Sequence, residues 1–134
     1  MRTRHAFLIA LTLAAAAGAQ AATPAEQLAG YSAAAKAAAD PARGQKFFTT
    51  QGPKDWSCSS CHGGTPTGTG KHASTGKPIQ PLAPAASPER FADAAKTEKW
   101  FRRNCNDVLG RECSAGEKAD VLAWLMTLLS LIHI

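Results

Sequence analysis

Five consecutive residues, Cys58-Ser59-Ser60-Cys61-His62, restrict this chain more than any other feature. Two thiols spaced C-x-x-C with a histidine directly after them have few uses: a redox dithiol, part of a zinc site, a local disulfide, or the attachment point of a covalent tetrapyrrole. The compartment helps to choose. Arg2 and Arg4 precede an apolar run, Ala6 to Ala17, and Ala19-Gln20-Ala21 follows it. That is the plan of a secretory signal peptide over residues 1–21, with an apolar core too short to span a bilayer. The chain is therefore expected to be exported to the periplasm, where free thiols do not persist. Arg2 and Arg4 supply two of the five surplus positive charges, so the modest excess that remains does not call for nucleic acid as a partner.

After the signal, the pattern is helical. Residues 22–39 are Ala-rich, with Thr23 as a cap and Pro24 at the first helical position. They read as a surface helix or leader, because Leu28 and Tyr31 are the only large apolar side chains. Residues 40–130 read as the main domain. Asp40-Pro41 starts a short helix in which Gly44 and Phe48 share a face, and the glycine suggests a close helix–helix approach. Gly63 to Ala86 holds five of the eleven glycines and four of the eight prolines, and reads as a long irregular loop. Asp93 to Asn104 reads as a helix with Trp100 and Asn104 on one face. Ser114-Ala115-Gly116-Glu117 matches a capping box, followed at helical spacing by Val121, Leu122, Trp124, Leu125, Leu128 and Leu129. No run of strand alternation stands out. The expected class is all-α, with three to five short helices and one large loop. Residues 131–134 form an apolar tail of unassigned status, and His133 receives no role.

So few short helices bury little apolar surface, and a small domain of this kind needs a staple. One covalent haem c supplies it. Cys58 and Cys61 lie on one turn and reach the two vinyl groups as thioethers, while His62 comes up beneath the iron as proximal ligand. A thioredoxin-like dithiol would want a βαβ context, a zinc knuckle would want tighter spacing than Cys105-x₇-Cys113, and a plain disulfide explains neither His62 nor the missing core.

Gly44 and Phe48, the haem motif, and Val121, Trp124 and Leu125 together resemble class I cytochrome c. More specifically, Lys54-Asp55-Trp56-Ser57-Cys58, Gly76-Lys77-Pro78-Ile79, Pro81-Leu82-Ala83-Pro84 and the block Trp100 to Cys113 resemble the sphaeroides haem protein family, from about Asp40 to Leu129. The resemblance implies a class I-like fold around the haem with a long distal loop. It also implies a disulfide between Cys105 and Cys113, and an asparagine, here Asn104, as sixth ligand of the ferric haem.

The residues themselves leave the distal ligand open. Met126 lies in the last helix, where core filling is its ordinary role. His72 follows His62 by ten residues, a stretch of roughly 33 Å when extended, so a bis-His haem is a real alternative. Asn106 stands about 200° round from Asn104 on a helix, so the two cannot both face the iron. Asn104 also reads as a helix C-cap.

An amide oxygen is a hard donor that suits Fe(III) better than Fe(II). The resemblance therefore implies a cytochrome that opens a coordination site on reduction, binds O2, NO or another small ligand, and exchanges electrons with a redox partner. In the family that partner is a dihaem cytochrome c. Lys96, Lys99, Arg102 and Arg103 crowd one helix and could steer an acidic partner. The competing expectation is a permanently six-coordinate electron-transfer cytochrome using His72 or Met126. Oxygen or nitric oxide reduction at the open site would be an enzymatic variant, for which the sequence offers no obvious distal acid–base pair.

Overall fold

The computed structural model describes residues 21–129. The expected signal peptide, apart from Ala21, and the C-terminal tail lie outside the described residues. Five α-helices follow one another: α1 (Pro24–Ala35), α2 (Pro41–Thr49), α3 (Ser59–His62), α4 (Ala94–Leu109) and α5 (Ala115–Thr127). A 3₁₀ turn, Pro88–Phe91, leads into α4. The architecture is all-α, as expected, and among the described residues no helix is long and apolar enough to cross a membrane.

Local chemistry sets most helix starts. Thr23 Oγ1 accepts from the Glu26 amide at 3.1 Å while the Glu26 carboxylate accepts from the Thr23 amide at 2.8 Å, a reciprocal box that opens α1. Ser114 and Glu117 repeat it at α5. Asp40 caps α2, accepting from the Ala42 amide at 2.8 Å. α1 stops at Ala35 because Lys36 turns left-handed, with φ 54°.

The core is the crossing of α2 and α5. Phe48, Phe91, Val121, Leu122, Trp124 and Leu125 are buried together. The Phe48 and Trp124 rings lie 5.0 Å apart. Gly44 makes the crossing possible: a Cβ there would run into the Asp120 carbonyl and lie 2.9 Å from the Val121 nitrogen. Asp120 locks the contact, accepting from the Asp40 amide at 2.6 Å and from Arg43 Nε at 2.8 Å.

Of the two readings of residues 22–39, surface helix or leader, the structure shows a helix, α1. It lies along α5, with Leu28 and Tyr31 against the core, and its buried Gln27 donates through Nε2 to the Phe91 carbonyl. Three expectations need correction. α4 runs past Asn104 to Leu109 and ends at Gly110 (φ 70°), so Asn104 is not a C-cap; the glycine, not the asparagine, supplies the left-handed residue. Met126 is 39% exposed and fills no core, because it lies in the last turn of α5, beyond the buried run Ala119 to Leu125. The long loop holds a two-residue antiparallel ladder, with Gly70 opposite Ile79 and Lys71 opposite Pro78, too short to leave an alternating pattern in the sequence.

Candidate haem site

The motif turn is built locally. The Cys61 and His62 amides both donate to the Cys58 carbonyl, at 3.3 and 3.0 Å, so Cys58 and Cys61 lie on one helical turn with His62 at its end. Ser57 pins that turn, its amide donating to Ser60 Oγ at 2.9 Å and its hydroxyl lying 2.7 Å from Ser59 Oγ. Gly70 passes close over the turn, where a Cβ would meet the Cys61 carbonyl and lie 3.1 Å from His62 Cα.

Cys58, Cys61 and His62 line a cavity of about 320 Å³. Its walls are mostly apolar, with Phe47, Phe48 and Leu125 on the α2–α5 side and Trp100, Phe101 and Val108 from α4. Burial pushes the Cys58 thiol up to about 11, with neighbouring Cys61 adding a smaller push. It is thus a protonated thiol at neutral pH and not the activated thiolate a redox dithiol needs. Burial, helped by the positive charge of Arg90, holds His62 down at about 4. Its imidazole is therefore neutral, with a lone pair to give.

Cys105 and Cys113 form a disulfide, which removes two of the thiols a four-cysteine zinc site would need. Among the described residues, no three His, Cys, Asp or Glu side chains converge as a bare-metal site. A large apolar cavity with two thiols and one neutral imidazole fits a metal that arrives inside its own macrocycle.

Asn104 lines the same cavity as His62, from mid-helix on α4 and directly before the disulfide-bonded Cys105. Asn106 does not line it; its side-chain amide donates back to the Arg102 carbonyl at 2.8 Å. Met126 is also absent from the lining. His72 is present, but its Nδ1 accepts from the Ser74 and Thr75 amides at 3.3 and 3.2 Å. In the neutral ring the proton then sits on Nε2, which offers an N–H where a ligand needs a lone pair. Sequence reading missed Arg90 on the cavity wall, because nothing local in Pro88-Glu89-Arg90-Phe91 marks it.

Comparisons with known proteins show the family. Residues 34–125 match the model of a domain of unknown function, DUF1924. Cytochrome c-type protein SHP of Cereibacter sphaeroides is 53% identical over 107 residues, covering 77% of this chain and 82% of SHP. The chain belongs to the SHP family of c-type cytochromes. The structure of oxidised SHP, an oxygen-binding cytochrome c, superposes with a TM-score of 0.74 at 50% identity, covering 82% of this chain and 99% of that one. The solution structure of Methylophilus methylotrophus cytochrome c'', which concerns haem-ligand detachment, gives a TM-score of 0.69 at 36% identity over 78% of this chain and 92% of that one. As a member of the SHP family, with one C-x-x-C-H motif, the chain is a monohaem c-type cytochrome.

Proposed function

We propose that this is an exported, periplasmic cytochrome whose haem is tethered through Cys58 and Cys61, held by His62 on the proximal side, and capped by Asn104 only when ferric. The observation that carries this reading is that His62 and Asn104 line one cavity while Asn106 and Met126 do not. Bound haem supplies an iron that takes a hard oxygen donor when ferric and prefers softer ligands when ferrous. The Asn104 carboxamide is such a hard donor. On reduction its hold on the iron would weaken, leaving room for a small ligand such as O2 or NO. The oxygen-binding character of SHP and the haem-ligand detachment studied in cytochrome c'' support this reading.

The decisive experiment is optical. The dithionite-reduced protein should show a high-spin, five-coordinate ferrous spectrum, and a sharp low-spin spectrum would exclude the open site. Asn104→Ala should change the ferric spectrum; an unchanged one removes the asparagine from the iron. Histidine ligation is the second reading, favoured by the presence of His72 in the lining. It predicts that His72→Ala, not Asn104→Ala, changes both oxidation states.

Electrons would pass at α4. Trp100 lines the cavity and is also 41% exposed, with Lys96 and Lys99 nearby in sequence and the Arg103 guanidinium 5.5 Å from its ring. An acidic redox partner, in this family a dihaem cytochrome c, fits that basic surface. The electron-transfer rate should fall as salt rises, and a flat response would remove steering by α4.

A further inference from the structure

We infer that Arg90 is the anchor for a carboxylate inside the cavity, a propionate of the haem. The inference rests on haem being the cofactor and does not depend on which residue is the sixth ligand. Arg90 sits in the 3₁₀ turn between the long loop and α4, half-buried, on the cavity wall. Two backbone carbonyls hold its guanidinium in place: Nε donates to the Pro81 carbonyl at 2.9 Å and Nη2 to the Gln80 carbonyl at 2.7 Å. A guanidinium carries five N–H donors, so this grip positions the group without exhausting it.

The charge has no carboxylate in direct contact, although it lies near enough to the exposed Glu89 to help lower that carboxyl. Among the described residues Arg43, Arg103 and Arg111 each have a carboxylate within 4.0 Å; Arg90 and Arg102 have none, and of these two only Arg90 lines the cavity. Its neighbour Glu89 accepts instead from the Ser87 hydroxyl at 2.9 Å. A fixed, partly desolvated cation beside an apolar cavity is unfavourable unless an anion joins it. Haem brings two propionates into this cavity, and a planar guanidinium matches a carboxylate in shape and charge. The other cation in the lining, Arg103, is exposed and faces Asp107 at 4.0 Å, so Arg90 is the better-placed partner.

A cation beside the porphyrin favours the less positive, ferrous state. In Arg90→Gln the one-electron reduction equilibrium should shift about tenfold toward ferric, about 59 mV. The propionate-bending band in resonance Raman should move as well. Arg90→Lys keeps the charge but loses the fork, so it should move the Raman band while holding the equilibrium within threefold of the parent. Visible spectra of both variants should report unchanged axial ligation, which separates this test from that of Asn104. An unmoved Raman band in either variant overturns the proposal, as does an equal shift of the equilibrium in both. Titration with formate distinguishes a free anion: if formate alters the parent's haem spectrum, and Arg90→Gln abolishes that response with the Raman band unmoved, the site takes an exogenous carboxylate and the propionate assignment fails.

Discussion

The two walls of the cavity are held by different physics. The α2–α5 wall is backbone pressed against backbone at Gly44, with Phe48, Val121, Trp124 and Leu125 buried beneath it. His62 belongs to this side, its ring 6.1 Å from that of Phe48. The α4 wall buries only Thr97, Cys105 and Val108 along its sixteen residues. It is tied on by the Cys105–Cys113 disulfide and by Glu98, which accepts from the Tyr31 hydroxyl and from Lys118 Nζ at 2.8 Å. A close-packed wall moves as a unit or not at all, whereas polar ties yield one at a time. A permanent ligand suits the first wall and a detachable one suits the second.

The largest effect should come from emptying the space between the walls. In Cys58→Ser/Cys61→Ser the haem cannot be tethered, and the apolar cavity of about 320 Å³ loses its covalent filling, which should destabilise so small a domain strongly. Circular dichroism should show no cooperative melting; a sharp transition would mean that the polypeptide walls hold each other.

Next comes the α4 tie. Cys105→Ser/Cys113→Ser should lose about 2–4 kcal/mol and speed ligand association, because Asn104 adjoins the released residue. Association kinetics check the second half. Gly44→Ala, by contrast, should cost about 1–3 kcal/mol through overpacking, read as a lower Tm, with ligand association unchanged. If the two variants alter association equally, the contrast between the walls is wrong.

Smaller effects sharpen the same contrast. Tyr31→Phe removes one hydrogen bond to α4 and should cost about 1 kcal/mol by chemical denaturation. The α2–α5 lock should respond to acid. Burial works to raise the Asp120 pKa, but hydrogen bonds from Arg43 and the Asp40 amide outweigh it, so the carboxyl sits below its usual value. A group depressed in the folded state stabilises above its unfolded pKa and loses that contribution as pH falls through the folded one. Asp120→Asn should therefore flatten the loss of stability below about pH 4, by about 0.5 kcal/mol given the exposed Arg43 partner. An unchanged acid limb would mean that the lock contributes nothing.

The features legible in the chain are local ones. C-x-x-C-H, the cap at Thr23, the capping box at Ser114, the helix start at Asp40-Pro41 and the spacing of Gly44 and Phe48 each act within a few residues, and the structure follows them. Two errors concerned where helices end. α4 ran past its expected end because its stop signal is Gly110, and Met126 is exposed because it lies in the last turn of α5, beyond the buried run Ala119 to Leu125.

Sequence alone established the haem motif and the helical class, because covalent spacing and helix capping are written in consecutive residues. Tertiary structure decided which residues line the cavity, Asn104 among them and Asn106 not, docked α1 along α5, and left Arg90 as a fixed cation on the cavity wall. Those outcomes depend on which surfaces meet across dozens of residues, and no short stretch of chain encodes that.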